Sequence, residues 1–136
     1  FVQMQTLQGA ALVGHDVTLQ GDRLVVMDGS GVAGFELTGS ADRVKVEILA
    51  PSGHVVDTLD LGAQGAGRHG FSWAASTLPD GAPYRFRVSA TVGAAVVPST
   101  PLMRDRVVAV STAGDRLNLE TQYSGSVGYA DVKAFN

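Results

Sequence analysis

The feature that most constrains the fold of this chain is the strict alternation of polar and apolar residues in its short segments. Residues 43–48 read Arg-Val-Lys-Val-Glu-Ile, and residues 84–92 repeat the pattern. Successive side chains of a β-strand point to opposite faces, so this period predicts strands with one buried face. In the first segment Val44, Val46 and Ile48 are predicted to face a core. The inward positions of the second segment are Tyr84, Phe86, Val88, Ala90 and Val92.

Turn residues separate further strand-like segments at short intervals. Pro-Ser-Gly at 51–53 and Pro-Asp-Gly at 79–81 are turn sequences, because proline presets one φ angle and glycine accepts a positive φ. A further strand is predicted at 55–61, and a shorter one carries Phe71 and Trp73, whose rings are predicted to point into the core. The middle of the chain thus holds roughly six strands, which predicts a small immunoglobulin-like or fibronectin-type β-sandwich.

Polar and apolar residues also alternate at the two ends of the chain. Neither end has enough strands to complete a core alone. The leading end is predicted to form a hairpin with strands at 12–19 and 23–27. The trailing end offers strands at 106–110, 116–120 and 131–135. If the two ends pair, they make a five-stranded barrel with the sandwich inserted into one of its loops, since an exposed loop tolerates insertion.

The predicted fold class is therefore all-β, with two domains. A small discontinuous barrel contains residues 1–30 and 100–136, and a β-sandwich contains residues 31–99. Flexible linkers are predicted at Gly29–Gly31 and Pro98–Pro101, where glycine, serine and proline concentrate.

Composition excludes several classes of function. The net charge of -3 and the pI near 5.4 give no electrostatic basis for binding nucleic acid. Cysteine is absent, which rules out thiol catalysis, disulfides and thiolate metal sites. No segment approaches the roughly 20 apolar residues of a membrane helix, so no membrane partner is expected. The chain begins at Phe1, which suggests a fragment or processed product whose export signal lies upstream.

Two glycine-rich segments match the dinucleotide-binding pattern G-x-G-x-x-G by spacing alone. They are Gly29–Gly34 and Gly65–Gly70. The motif needs a helix directly after it, because the helix N-terminus holds the pyrophosphate. Residues 35–39 are strand-like instead. Loop glycines are the better interpretation, and no cofactor is expected.

The remaining reactive side chains form no recognisable catalytic or metal-binding pattern. His15, His54 and His69 are scattered without metal-ligand spacing, and Ser72, Ser76 and Ser111 lack a nucleophile motif. Asp22, Asp80 and Asp115 sit beside glycine in turns, whereas Asp57 and Asp60 lie along a strand. Arg85 and Arg87, beside aromatic residues, are either a ligand-binding face or the solvated side of a sheet. The sequence predicts no catalytic, cofactor-binding or metal-binding residues.

Several segments, taken in order, carry a resemblance to a known family. They are Ala10 to Val17 (AALVGHDV), Val44 to Leu49, the turn at 51–53, Val55 to Gly62 (VVDTLDLG), Gly67, Phe71, Trp73, the turn at 79–81, Tyr84 to Ala90 (YRFRVSA), Arg106 to Val110, and Val127 to Phe135 with Asp131-Val132. The series resembles the ordered C-terminal region of the flagellar hook-capping (hook assembly) protein family. It departs from that pattern after Trp73, where Ala74-Ala75 follow, and between Asp80 and Tyr84, where the turn is longer.

The resemblance implies a Tudor-like or SH3-like barrel with an inserted fibronectin type III-like sandwich. It also implies a secreted, non-enzymatic scaffold, exported through the flagellar type III secretion apparatus, that forms a homo-oligomeric cap at the extracellular tip of the bacterial flagellar hook. The expected partners are hook subunits, whose addition the cap promotes, and other copies of the chain. No small-molecule substrate is expected. Residues 1–8 would be the tail of the family's N-terminal region, with Met4 and Leu7 in a short helix.

A second class of function is a non-catalytic ligand-binding or carbohydrate-binding sandwich from a secreted or surface protein. Such a module presents exposed aromatic rings as a platform. Here Phe71, Trp73, Tyr84 and Phe86 occupy positions that are predicted to point inward, so the position of Trp73 distinguishes the two hypotheses.

Overall fold

The structure, a computed structural model, describes residues 12–75 and 77–135, apart from the side chain of Ala113. Most of these residues lie in β-strands, and the predicted all-β class is confirmed. The strands are β1 (Asp16–Gln20), β2 (Arg23–Met27), β3 (Ser30–Leu37), β4 (Ala41–Leu49), β5 (Val55–Gln64), β6 (Gly67–Ala74), β7 (Tyr84–Val92), β8 (Ala95–Val96), β9 (Ser99–Ala113), β10 (Arg116–Thr121), β11 (Gly125–Gly128) and β12 (Ala134–Phe135). A 3-10 turn, Tyr129–Asp131, lies between β11 and β12.

The strands belong to two compact units. The inserted unit spans Gly21–Met103, and the terminal unit combines the described residues up to Gln20 with those from Arg104 onward. Strand β9 contributes its first part to the inserted unit and its second part to the terminal unit. The predicted domains, 1–30 with 100–136 and 31–99, divide the chain at other residues and stay a prediction.

The inserted unit consists of two antiparallel sheets. In one sheet, β3 pairs along its whole length with β6, and on its other side with β2 and then with β9. In the other sheet, β4 lies between β5 and β7, and β7 also pairs with β8. Strand β2 joins both sheets, because Arg23 and Leu24 pair with β7 whereas Val25–Met27 pair with β3.

The alternating residues of these strands enclose one core between the two sheets. Val44, Val46 and Ile48 have no exposed surface, as predicted. Phe86 of one sheet meets Phe71 of the other edge-on, with ring centroids 5.2 Å apart. Such an aromatic pair adds to the free energy gained by burying both rings. The buried cluster is completed by Leu24, Ala33, Phe35, Leu37, Ala41, Ala90 and Val97.

The prediction is wrong at Val92, the last inward position of β7. Its side chain is 47% exposed, whereas Ala90, two residues earlier, is buried. Val92 pairs with Ala95 in the two-residue strand β8, at the end of the sandwich. Alternation determines which face of a strand a side chain lies on, but the extent of the opposite sheet determines whether that face is covered.

The predicted hairpin between strands at 12–19 and 23–27 is also wrong. Strand β1 begins only at Asp16 and pairs with β12 and β9, whereas β2 pairs with β3 and β7. The intervening residues are bound to the inserted unit, since the Gly21 amide donates to the Pro101 carbonyl at 3.0 Å and the Phe86 amide donates to the Asp22 carbonyl at 2.9 Å. An alternating strand carries little information about its partner, because pairing depends on tertiary contacts.

The two predicted linkers are strand and turn instead. Asp28 and Gly29 have φ angles of 52° and 78° and form the tight turn between β2 and β3. Asp-Gly is a preferred sequence for such a turn because both positions need a positive φ. The segment predicted as the second linker, Pro98–Pro101, enters β9, in which Ser99 pairs with Leu37 of β3.

The terminal unit is built around β10, which pairs antiparallel with β9 and β11. Strand β1 pairs antiparallel with β12 and also pairs with β9. The predicted last strand at 131–135 is reduced to β12, because Asp131 lies in the 3-10 turn and its carboxylate accepts the Gly128 amide at 3.2 Å. The buried apolar residues of this unit are Val17, Leu19, Val107, Leu117 and Leu119.

Some sequence predictions fall outside the described residues. These are the short helix with Met4 and Leu7, the first residues of the Ala10–Val17 segment, and Ser76. Within the described part of the chain, none of the helical structure is long and apolar enough for a membrane span.

The approach of β3 to β6 leaves no room for a side chain at Gly34. A Cβ atom at Gly34 would lie 2.5 Å from the His69 carbonyl oxygen, whereas one at Gly70, directly opposite, would meet its nearest neighbour, the Ala33 carbonyl oxygen, at 3.7 Å. We therefore expect Gly34→Ala to lower the free energy of unfolding by about 1–3 kcal/mol, and Gly70→Ala to change it little. Urea denaturation of both variants measures the difference. Equal stabilities would contradict this account of the strand pair.

Candidate functional site

The glycine patterns that match a dinucleotide fingerprint serve strand pairing. Gly31 and Gly34 lie in β3, and a Cβ atom at Gly31 would come within 2.8 Å of the Leu24 side chain. The second pattern, Gly65–Gly70, connects β5 to β6 and forms the start of β6. Neither pattern opens a helix, so neither has the geometry that holds a pyrophosphate.

The three histidines occupy separate parts of the fold. His15 is exposed before β1, and His54 is exposed in the turn before β5. The His69 ring lies 2.6 Å from the Gly65 carbonyl oxygen and packs against Phe35, with ring centroids 5.4 Å apart. Residues 12–75 and 77–135 contain no group of three or more His, Asp or Glu side chains that could hold a metal ion.

The serine and aspartate residues considered in the sequence have local structural contacts. The Ser111 hydroxyl donates to the Glu120 carboxylate at 3.0 Å, and Ser72 is exposed in β6. Asp60 accepts the Gly62 amide at 3.1 Å. Asp80 accepts the amide of Asp28 at 2.9 Å and so joins two turns. These are the backbone contacts for which aspartate is favoured in turns.

An open cleft of about 450 Å³ lies on the terminal unit, where the turn after β9 meets the 3-10 turn. Residues 115–118 and 128–131 line it. Asp131 is held to the Gly128 amide, and Asp115 lies in the turn that enters β10. The cleft therefore lies between two turns at the edge of β10, and the Asp131 carboxylate stabilises one of them.

Trp73 is half-buried and belongs to the edge of the core. It packs against the buried cluster, and its ring lies 5.9 Å from that of Tyr84. Its indole N–H donates to the Asp57 carboxylate at 2.8 Å, which links the edge strands β6 and β5. Phe71 and Phe86 are buried, as predicted. The four aromatic residues thus support the sandwich and do not form an exposed platform.

The outer face of the sheet containing β4 and β7 carries a concentration of basic side chains. It holds Arg43 and Lys45 on β4 and Arg85 and Arg87 on β7, which are four of the ten basic residues of the chain. The Arg87 guanidinium donates a hydrogen bond to the Glu47 carboxylate at 3.0 Å. This hydrogen bond and the positive charge of Arg87 lower the pKa of Glu47. Arg85 lies 4.0 Å from Asp22. Asp60 of β5 lies directly opposite Lys45, so carboxylates alternate with the basic residues on this face. This arrangement is typical of a solvated sheet face, and the choice between the two interpretations stays a prediction.

Sequence reasoning missed an exposed apolar hairpin at one end of this sheet. Val92 and Val96 are 47% and 78% exposed, although both are β-branched residues in an apolar run. The run itself is a signal, because an apolar segment next to a glycine turn can form either a buried strand or an exposed hairpin. Val96 pairs with Thr91 and lies on the outer face, whereas Val92 lies on the inner face at the end of the sandwich.

The chain matches a family model over the inserted unit. The model is described as the FlgD Ig-like domain, and it covers residues 21–94. Two curated relatives, both basal-body rod modification proteins FlgD, extend the similarity. The protein of Escherichia coli (strain K12) is 33% identical over an alignment of 132 residues, and that of Salmonella typhimurium is 32% identical over an alignment of 128 residues. These alignments cover 86% and 85% of this chain. The chain spans 57% and 54% of those relatives, little more than half their length.

Two solved structures share the fold along almost the whole chain. FlgD of Pseudomonas aeruginosa has a TM-score of 0.73 at 26% identity and covers 92% of this chain and 98% of its own. FlgD of Xanthomonas campestris has a TM-score of 0.73 at 28% identity and covers 97% and 99%. The latter is described in connection with the hook capping essential for flagellar assembly. The family model, the curated relatives and the solved structures agree, and this chain belongs to the FlgD family of flagellar hook-capping proteins.

Proposed function

We propose that this chain is the C-terminal part of a scaffold protein that caps the growing flagellar hook. The observation that carries the proposal is membership of the FlgD family through residues 21–94, together with a fold shared along 97% of the chain with the X. campestris protein. That protein is described in terms of hook capping essential for flagellar assembly. The cap would stand at the extracellular tip of the hook, after export through the flagellar type III secretion apparatus, and would promote the addition of hook subunits beneath it.

The proposed role needs no catalysis. The residues that could take part in a reaction make structural contacts. Asp57 holds an indole, Asp80 joins two turns, and the glycine-rich segments allow strands to approach closely. An assembly scaffold instead needs stiff surfaces that bind and release their partners. The two sheets around one aromatic core provide such a support. The partners we propose are hook subunits and other copies of the same protein.

We also propose the domain identities that the family resemblance implies. The inserted unit would be a fibronectin type III-like relative of the Ig-like domain, and the terminal unit would be a Tudor-like barrel. Supporting this, β2 pairs with strands of both sheets, which is a way for a sandwich to close one of its edges. In the terminal unit, residues from both ends of the described chain pair in β1 and β12.

Deletion of the gene that encodes the whole protein tests the capping role. We expect cells without it to lack hooks when examined by electron microscopy, because hook subunits would be lost before they assemble. Expression of the intact protein from a plasmid should restore hooks and motility, and it is the control. Normal hooks and full motility in the deletion strain would exclude the proposal. The hypothesis of a carbohydrate-binding module would then have to be tested, although the packing of Trp73 against the core disfavours it.

A further inference from the structure

Strand β5 forms one edge of the inserted unit. It is ten residues long, and among the described residues it pairs with β4 alone. An edge strand presents backbone amides and carbonyls that can pair with a strand of another molecule. Val56 adds an apolar side chain that is 45% exposed. Such an edge invites strand addition by a second copy unless its own residues prevent it.

Two carboxylates of β5 bind backbone amides of the same strand. Asp57 accepts the Thr58 amide at 2.8 Å, and Asp60 accepts the Gly62 amide at 3.1 Å. Both aspartates are exposed. An amide that donates to a carboxylate is not free to donate to the carbonyl of an incoming strand, and the negative charge repels that carbonyl oxygen. Charged side chains on an edge strand are a common means of preventing such pairing.

The backbone of β5 is also irregular on both sides of this segment. Val56 and Leu61 are extra residues, because the residues on either side of each pair with consecutive positions of β4. Gly62, directly after the second extra residue, has a φ angle of 68°. Extra residues of this kind bend and twist a strand, so β5 does not present a long flat row of pairing groups.

The Asp57 carboxylate is held at the edge by a second contact. Its other oxygen accepts the Trp73 indole N–H of β6 at 2.8 Å. Among the described residues β6 pairs with β3 alone, so this bond joins the edge strands of the two sheets. The carboxylate therefore has a fixed position between two edges that could each accept a strand.

The amide contacts of the two aspartates matter more than their charge. Lys45 of β4 lies opposite Asp60, on the side away from the free edge. Among the described residues, none of the ion pairs within 4.0 Å involves Asp60 or Asp57. Asp57 lies opposite the apolar Ile48. The bonds to the Thr58 and Gly62 amides thus carry the argument, and the remaining negative charge adds to it.

We infer that Asp57 and Asp60 prevent β5 from pairing with β5 of a second copy. Two identical edges can pair antiparallel about a twofold axis. A pair centred between Thr58 and Leu59 would place Asp57 opposite Asp60 of the second copy, where like charges destabilise the pair. The inference goes beyond the capping role and does not depend on it. Copies of a capping scaffold would then associate through surfaces other than this edge.

Sedimentation velocity of a double variant of the 136-residue chain tests the inference. Asp57→Ala/Asp60→Ala should self-associate at least about tenfold more tightly than the unaltered chain, because two amides become free to donate and the repulsion between copies is lost. The matched control is Asp42→Ala/Asp115→Ala. It makes the same change of net charge outside β5 and also removes a carboxylate that accepts an amide, that of Gly93 at 2.9 Å. The control should associate like the unaltered chain.

Three further variants separate protection of the edge from loss of stability. Trp73→Phe removes the indole donor but keeps both carboxylates, so its association should not change. Asp60→Ala alone leaves the Trp73 bond intact and should show a smaller increase than the double variant. Adding Thr58→Pro to the double variant should abolish the increase, because proline has no amide to donate and is tolerated on edge strands. Circular dichroism shows which variants are folded.

Amide hydrogen exchange locates the contact in the associated double variant. Residues 56–62 should exchange more slowly in the associated form than in the dilute monomer, because their amides donate to the second copy. Three results would overturn the inference. They are folded Asp57 and Asp60 variants that associate no more than the unaltered chain, an equal increase in the Asp42→Ala/Asp115→Ala control, and association without slower exchange in β5. None of them bears on the deletion experiment, so failure of this inference is distinguishable from failure of the capping role.

Discussion

Phe86→Ala is expected to lower the free energy of unfolding by about 3–5 kcal/mol, the range for removing a large aromatic side chain from a packed core. Phe86 is 2% exposed and lies at the centre of the sandwich, where its ring contacts that of Phe71 from the opposite sheet. Removing the ring loses the free energy of its transfer from water to the core, leaves a cavity, and removes the edge-on contact with Phe71. A small domain with a total stability of about 5–15 kcal/mol would lose a large part of it.

Chemical denaturation followed by tryptophan fluorescence measures this loss, because Trp73 packs against the same core. The matched control is Val92→Ala in the same strand, where the side chain is 47% exposed and a change below about 0.5 kcal/mol is expected. Phe86→Leu should lie between the two, since it keeps most of the apolar volume. If Phe86→Ala and Val92→Ala proved equally stable, the description of the core as continuous between the two sheets would be wrong.

Asp105→Ala is expected to destabilise the terminal unit by about 2–4 kcal/mol. Asp105 is a carboxylate with only 3% exposure, and it lies in β9. It accepts the backbone amides of Arg106 at 2.8 Å, Tyr123 at 3.1 Å and Ser124 at 2.8 Å. The last two belong to the turn between β10 and β11, so one buried side chain holds that turn against β9. Alanine removes an acceptor from all three amides at once.

The melting temperature and the amide hydrogen exchange of residues 122–125 together measure this effect. Asp105→Asn should be intermediate, because it retains one carbonyl oxygen as an acceptor. Arg104→Ala, at the exposed neighbouring position, should stay within about 0.5 kcal/mol of the unaltered chain. An Asp105→Ala variant with unchanged exchange in the turn would show that the turn is held by its own contacts, such as the bond from the Ser124 amide to the Thr121 hydroxyl at 3.0 Å.

Both predictions concern the rigidity on which a scaffold depends. A capping protein acts through the position of its surfaces, so loss of a core residue or of a turn anchor would weaken assembly without touching a contact residue. Under the proposed function, such variants should reduce hook formation in proportion to the stability that they lose.

The sequence predicted no catalytic residues. Its glycine patterns are followed by strand sequence, and its aspartates lie beside turn glycines. The structure places these groups in the expected local contacts, such as Asp80 on the Asp28 amide. Asp105 was not singled out by the sequence analysis, although aspartate is depleted in strands and its position within β9 is therefore unusual.

The sequence by itself determined the all-β class, most strand positions and the inward faces of β4, β6 and most of β7. The physical reason is that alternation acts within a single strand, where side-chain direction follows from backbone geometry. The tertiary structure alone decided that β2 joins β3 and β7, that Gly29–Gly31 enters a hairpin, and that Val92 and Val96 lie uncovered. Strand partners and sheet edges depend on contacts between residues distant in the chain, and a local sequence pattern does not specify such contacts.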